Sequence, residues 1–308
     1  MHYARAFVVA ASFCGARRRA ISHAVMKMSG EESSPTIEDL LQRAELIRRE
    51  MYGDEVLPSF IFEHEKLAYP HSSYEMKIDE GGTKRRKTVS SVKRGFCNWL
   101  VPERIMIGQY PGMTPESNGP TSRESQMHVQ KMVQEAHINQ FCCLQTEVPP
   151  QDNDVEWEKL GGEVYLDPIS RRDFPRPFTR YGHLAKVSSD SPMGFLHSPI
   201  EDLGTPSCND NLLRLLSALL HHLESNDSNT LYLHCWGGRG RAGLIGGLIG
   251  SLLFPELTSK QILAWVQGGY DTRAGAQEMH PGLRRSPQTE QQREFVREFV
   301  ALVTERKI

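Results

Sequence analysis

The sequence predicts an α/β fold: a central, mainly parallel sheet flanked by helices on both faces. Three observations carry that expectation. Short apolar runs of strand length alternate with longer amphipathic stripes, the pattern of repeated strand–helix–strand units. A stripe of Leu212, Leu213, Leu216, Leu219, Leu220 and Leu223 is core-facing helix and leads directly into one such run, Leu231 to Leu233. That run passes through a glycine-dense turn into a second apolar helix, LYLHCWGGRGRAGLIGGLIGSLL from Leu231 to Leu253. In sheets of this kind the ligand sits at the carboxyl ends of the strands.

A chain of 308 residues with 39% hydrophobic content is long enough for one large domain, or for a main domain with an extension. The second division is read here: a leader or transit-like segment over 1–30, a helical extension and polar linker over 31–95, and the main domain over 96–308. The formal net charge is only −2, so nothing in the overall balance points to nucleic acid or a membrane surface as the main partner. Cys14, Cys97, Cys142, Cys143, Cys208 and Cys235 show no paired metal spacing. A reducing compartment, the cytoplasm, is the natural reading, with no metal and no cofactor. The apolar run Ala242 to Phe254 is too short to span a bilayer, so no transmembrane segment is expected.

Met1 to Gly30 contains no acidic residue but has Arg5, Arg17, Arg18, Arg19 and Lys27. That composition suits an organellar transit segment, a plain leader, or a start upstream of the true one at Met26 or Met28. Pro35 to Met51 reads as an amphipathic helix with Ile37, Leu40, Leu41, Ala44, Ile47 and Met51 on one stripe and a capping-box start at Thr36 and Asp39. Residues 70–95 carry Gly81-Gly82 and Lys84-Arg85-Arg86-Lys87 and read as a solvated linker. Asn98 to Gly112 supplies strand material and a Pro-Gly turn. Ser125 to His137 has a helical stripe, and Ile138 to Gln145 reads as a buried strand. Val164 to Leu166 and Phe195 to Leu196 are shorter strand candidates. Between them lies an irregular basic loop with Arg171, Arg172, Arg176 and Arg180, which either recruits an anionic substrate or is simply exposed. Asn209 or Asp210 is expected to cap the leucine helix. Thr258 starts another helix, expected to stop at Gly268-Gly269, and Thr289 to Val303 closes the chain.

Chemistry concentrates in the turn after Leu231–Leu233. Cys235 falls where the strand ends. Gly237, Gly238 and Gly240 let the backbone turn tightly, so that its N–H groups, with Trp236 and Arg239 on the same loop, can converge on one anion. The helix from about Arg241 directs its N-terminal dipole at the same point, and Arg241, six residues after Cys235, can grip two phosphate oxygens with its planar fork. These groups favour the thiolate, which is the nucleophilic form. His234, directly before the nucleophile, reads as a supporting residue, and Trp236 as a pocket wall. Cys142 or Cys143 could pair reversibly with Cys235 under oxidation.

The spacing His234-Cys235-x5-Arg241 resembles the signature of the cysteine-dependent protein tyrosine and dual-specificity phosphatases. The loop CWGGRGR is most similar to the branch related to the cyclin-dependent kinase inhibitor 3 phosphatases. The resemblance covers roughly the C-terminal two-thirds of the chain, with Asn98 to Gly112 resembling the opening strand of such domains. It implies phosphomonoester hydrolysis through a phosphocysteine, with a phosphorylated protein or a small phosphoester as substrate. It also implies that HSPIEDLGTPS, His197 to Ser207, is the acid loop: Asp202, 33 residues before Cys235, takes the general-acid position, with Glu201 its adjacent rival. Gln288-Thr289-x-x-Gln292 resembles the glutamine motif that positions the hydrolytic water, although helix N-terminal polarity explains the same residues. Ala242 departs from the pattern, which has Ser or Thr there. Without that hydroxyl, breakdown of the phosphocysteine should lag behind its formation, and a phosphate-binding pseudophosphatase stands as the rival reading.

Overall fold

The computed structural model describes residues 34–53, 57–80, 87–147, 155–160 and 178–306. Helix α1, Ile37–Tyr52, begins where the sequence places it. The Thr36 hydroxyl accepts from the Asp39 N–H, and the Asp39 carboxylate accepts from the Thr36 N–H. Its stripe of Ile37, Leu40, Ala44 and Ile47 is buried in the same core as the rest of the chain. Two short 3-10 turns follow, and Phe60 of the first packs against Phe254 and Trp265.

The stretch expected to be a solvated linker instead forms an antiparallel hairpin, β1 over Ser73–Glu80 and β2 over Lys87–Gly95. Tyr74, Met76 and Ile78 recur at the strand period of two, while their charged neighbours keep the composition polar. Tyr74 lies 5.0 Å, ring to ring, from Phe96, and the Gly95 N–H bonds the Ala274 carbonyl, so the hairpin is anchored. Gly81, Gly82, Lys84, Arg85 and Arg86 fall outside the described residues.

Among the described residues the main sheet sets its strands side by side in the order 97–101, 105–109, 231–235, 140–145, 194–200 and 158–159. Strand β3, Cys97–Val101, pairs antiparallel with β4, Ile105–Gln109. The single strand expected over this stretch is therefore two, joined by a turn in which Glu103 adopts a φ of 62°. Helix α2 spans Ser122–Gln134 and is capped reciprocally by Thr121 and Glu124. Strand β5, Gln140–Gln145, follows, then the short β6, Glu158–Lys159, and helix α3, Gly182–Val187; neither of these last two was foreseen. Val164 to Leu166 lies outside the described residues. Strand β7 covers Gly194–Ile200, helix α4 Asn209–Ser225, β8 Leu231–Cys235 and helix α5 Arg241–Leu253. The pairs β4–β8, β8–β5, β5–β7 and β7–β6 are all parallel, so the expected α/β class with a mainly parallel sheet is what the chain forms.

Two expected helix ends differ. Cys208, not Asn209 or Asp210, is the N-cap of α4, and it makes no side-chain capping bond; the Leu212 N–H takes the Cys208 carbonyl instead. Helix α6, Ser259–Asp271, starts with a Thr258–Gln261 capping box but runs through Gly268-Gly269. There the missing side chains admit neighbours: a Cβ on Gly268 would sit 1.9 Å from the His64 ring. Helix α7, Glu290–Arg306, ends the described chain.

Alternation along β8 divides the layers. Gly246 of α5 meets Ile107 on one face, while Tyr232 on the other receives His128 of α2. Every residue of α5 is buried, which explains why its sequence carries no polar stripe. Among the described residues no helix is long and apolar enough to cross a membrane.

Candidate active site

Strand β8 delivers Cys235 to its carboxyl end, where the thiol is 3% exposed. The loop from Trp236 to Gly240 then turns into α5. Gly238 holds a φ of 66°, and a Cβ there would lie 2.1 Å from the Gly108 carbonyl carbon. Only glycine satisfies both the left-handed backbone and the close approach. The N–H groups of Gly237, Gly238, Arg239 and Gly240 are not bonded to other described residues. Together with the start of α5 they are a set of donors whose chemistry suits an anion.

Arg241, the first residue of α5, is 1% exposed. Its Nη1 donates to Glu147 Oε2 at 2.8 Å and to the Ile200 carbonyl at 3.2 Å, and its Nη2 pairs with Asp202 Oδ1 at 3.0 Å. Burial works against the charge, but Cys235 and the two carboxylates outweigh it and hold the guanidinium above its ordinary range. Its Nε is buried and has no partner. A charged fork with one free donor beside a thiol and a glycine loop can chemically accept an oxyanion.

Asp202 is thus brought to Arg241, with its side chain 55% exposed. The next residue, Leu203, has a φ of 62°, and the loop is tied down on that side. Thr289 Oγ1 donates to the Leu203 carbonyl at 3.2 Å, and Gln292 Nε2 donates to the Gly204 carbonyl at 2.9 Å. Gln292 is fully buried, and its Oε1 accepts from the N–H groups of Gln288 and Thr289. Both glutamine side chains would lie 3.3 Å from a Cβ on Gly240, so the structure places the glutamine pair against the end of the loop.

His234 sits on the opposite face of β8, fully buried, with Nε2 2.6 Å from the Tyr181 hydroxyl. Burial, then the neighbouring His197, His128 and Arg241, hold it well below the usual imidazole range, so it is neutral. Trp236 Nε1 donates to Glu116 Oε1 at 2.5 Å. Cys142 and Cys143 are free, and burial pushes Cys143 up to about 12 and Cys142 well above its ordinary value, so neither supplies thiolate near neutrality. Arg180 is exposed; Arg171, Arg172 and Arg176 lie outside the described residues. No cluster of metal-ligating side chains occurs among the described residues.

Two residues escape sequence reading. Glu147 follows the carboxyl end of β5, the strand next to β8, and that position beside a buried arginine was the available signal. Arg273 lies just beyond α6 with no motif around it. It is buried, donating from Nε to Asn98 Oδ1 and from Nη2 to the carbonyls of Ile107 and Gly238. It therefore holds the left-handed glycine against the sheet. Gly238→Ala should consequently destabilise the fold by about 1–3 kcal/mol or more. Gly237→Ala, at a site with nothing within 4 Å of the added carbon, should leave the denaturation midpoint nearly unchanged. Equal midpoints for the two variants would show that the loop backbone is not fixed as described.

No family model matches the chain, and no curated protein matches it. Among solved structures it is similar to Tk-PTP in its active form, with 16% identity over 68% of this chain and 97% of that one and a TM-score of 0.39. It is also similar to the kinase associated phosphatase KAP carrying serine for its catalytic cysteine, with 14% identity, 70% and 98% coverage and a TM-score of 0.41. A third is the Trypanosoma brucei protein tyrosine phosphatase TbPTP1, with 12% identity, 88% and 93% coverage and a TM-score of 0.42.

Proposed function

We propose that the protein hydrolyses phosphomonoesters through a phosphocysteine at Cys235. The observation that carries this reading is Arg241: a buried, charged fork, oriented by Glu147, with a free Nε at the mouth of a glycine cradle whose floor is a thiol. An incoming phosphate takes Nε and Nη2 of Arg241 and the loop N–H groups, which releases Asp202 from its ion pair. Cys235 Sγ, as thiolate, attacks phosphorus as the bond to the leaving oxygen breaks, and Asp202, which takes up a proton once it is freed from Arg241, gives that proton to the oxygen. Water then attacks the phosphocysteine, giving its proton to Asp202, and the departing sulfur leaves as thiolate. Gln288 is the proposed holder of that water, with Gln292, whose Oε1 and Nε2 are bonded to the Gln288 and Thr289 N–H groups and the Gly204 carbonyl, proposed to support it. Neither metal nor cofactor has a part in this reaction.

Phosphotyrosine, phosphoserine and phosphothreonine in proteins are the proposed substrates, in keeping with a dual-specificity enzyme of the branch that the loop resembles; an inositide or other small phosphoester is the alternative. The proposed division keeps the catalytic domain at 96–308, and the compartment proposed from the free cysteines is the cytoplasm.

Ala242 favours a second reading. It is buried at the start of α5 and offers no hydroxyl to the departing sulfur, and the nearby Ser286 hydroxyl already donates to the Arg239 carbonyl. A module that binds phosphate without turnover would have this feature.

Aryl phosphate hydrolysis by the full chain in the presence of a chelator separates the two. Cys235→Ser should abolish turnover, Asp202→Ala should lower it about 10²- to 10⁴-fold, and the parent should show a burst of released phenol that Ala242→Ser removes by speeding the second step. Turnover that survives Cys235→Ser would sink the mechanism. Phosphate binding without turnover in the parent would establish the second reading.

A further inference from the structure

A loop rich in glycine does not choose the directions of its own amides, so those after Cys235 have to be set from outside. The peptide units of this loop are trans. A trans unit is flat, and its N–H points opposite to the carbonyl before it, so whatever holds the carbonyl also aims the next amide. Three loop carbonyls are held in this way. The Trp236 carbonyl accepts from the Tyr110 N–H at 3.0 Å, the Gly238 carbonyl from Arg273 Nη2 at 2.8 Å, and the Arg239 carbonyl from the Ser286 hydroxyl at 2.9 Å. The N–H groups of Gly237, Arg239 and Gly240 are therefore turned away from those three donors, and none of them is bonded to another described residue.

Of the three holders, Tyr110 acts through its backbone and Arg273 also braces Asn98 and Ile107. The Ser286 hydroxyl makes its one bond here among the described residues. The unit it holds is Arg239–Gly240, which has no Cβ on its far side to resist rotation, and a rotated unit would offer a carbonyl where the N–H had been. Ser286 is itself firmly placed. It is 2% exposed, and its N–H bonds Gln267 Oε1 at 2.9 Å while Gln267 Nε2 donates to the Arg284 carbonyl. Helix α5 leaves room for the hydroxyl at Gly243, where a Cβ would lie 2.4 Å from Ser286 Oγ. A side chain of α6 and a missing side chain of α5 thus converge on one serine.

We propose that Ser286 is a positioning residue for the reaction: by holding the Arg239 carbonyl it keeps the Gly240 N–H free to donate to a phosphoryl oxygen. This rests on the reading of the loop as a phosphatase site. Ser286 acts through the loop and does not touch the substrate. Its loss costs the phosphate one donor and, when the unit turns, sets a carbonyl dipole against an anion.

The test compares the full-length parent with Ser286→Ala, Ser286→Thr and Ser251→Ala. The last is a control for stability, because it removes another buried hydroxyl, one that donates to the Leu248 carbonyl at 2.8 Å in the last turn of α5. Aryl phosphate hydrolysis, calorimetric binding of inorganic phosphate and the denaturation midpoint are measured for each. Ser286→Ala should lose about 10²-fold or more in kcat/KM, as removal of one aimed donor does, and bind phosphate about tenfold more weakly. Ser286→Thr keeps the hydroxyl and should recover part of both. Ser251→Ala should lower the midpoint by a similar amount and leave both activity and phosphate affinity unchanged. A Ser286→Ala enzyme within about twofold of the parent, a loss that Ser251→Ala reproduces, or a Ser286→Thr enzyme as stable as the parent but as impaired as Ser286→Ala would overturn the proposal. Crystals of the parent and of Ser286→Ala without ligand decide the point independently of turnover: the Arg239–Gly240 unit should be turned in the variant, and an unchanged unit sinks the idea. Should the parent hydrolyse no phosphoester, the catalytic reading has failed, and phosphate affinity together with the crystals decides the role of Ser286.

Discussion

Arg241→Met should remove both activity and stability, and the two losses should separate in a double variant. Glu147 is buried against Arg241 and has no other bonded partner among the described residues, so deleting the guanidinium strands a buried carboxylate. Breaking such a pair from one side typically costs about 3–5 kcal/mol, whereas replacing both members with apolar residues is often neutral. Arg241→Met alone should therefore lower the denaturation midpoint markedly, and Arg241→Met with Glu147→Leu should recover most of it. Neither should hydrolyse an aryl phosphate, because the electrostatic grip on the phosphoryl oxygens is gone; losing even one such donor commonly costs about 10²- to 10³-fold. Arg241→Lys keeps the charge opposite Glu147 but not the fork, so it should be nearly as stable as the parent and still poorly active. If the double variant is as unstable as the single one, Glu147 is not oriented by Arg241 in the way its 2.8 Å contact indicates.

Acidification should unfold the protein well before its carboxylates titrate. Burial is the main cause in every case: it brings His128 down to about 3 and His222 to about 4, lowers His197, and holds His234 well below the ordinary imidazole value. In the unfolded chain these side chains take up protons near pH 6.5, and in the folded one they do not. Between those values the unfolded state binds more protons, so stability is full above about pH 6.5 and falls as pH drops through the window. Each histidine kept neutral costs about 1.4 kcal/mol per pH unit there. His128 and His222 alone then remove roughly 5 kcal/mol by pH 4.5, comparable to the whole stability of an ordinary domain. His128 shows why protonation is resisted: Tyr232 donates its hydroxyl to the Gln109 carbonyl, so it accepts from His128 Nε2, while Nδ1 accepts from Ser72 at 2.5 Å. Urea midpoints measured from pH 7.5 to 4.5 should fall steeply, and His128→Gln should flatten the slope. A midpoint constant over that range would contradict the neutral state assigned to these four side chains.

What the sequence disclosed was local. The strand, glycine turn and helix around Cys235 carry their geometry in consecutive residues, and so do the capping boxes at Thr36 and Thr258 and the leucine stripe of α4. The hairpin was missed because its apolar face is three residues wide and its other face is charged, so composition masked the period. Gly268 and Gly269 read as a helix end because glycine usually marks one; here the helix continues, and His64 and Asn98 fill the space that side chains would take. Glu147 and Arg273 were invisible for a different reason. Each acts on a residue far away in the chain, and only the parallel pairing of β5 with β8 and the return of the chain after α6 bring them to the loop.

Gln292 holds the Gly204 carbonyl while receiving the N–H groups that open α7, and Thr289 holds Leu203, so the residue beside Asp202 is fastened to the last helix of the fold. Enzymes that carry their proton donor on a swinging lid often have a turnover set by the speed of closure. Here a hinge at Leu203 would have to carry the N-terminus of α7 with it. Asp202, the proposed donor, is closer to a fixed bracket than to a gate, and in the proposed reaction the clock then lies in the chemistry at sulfur rather than in the movement of the loop.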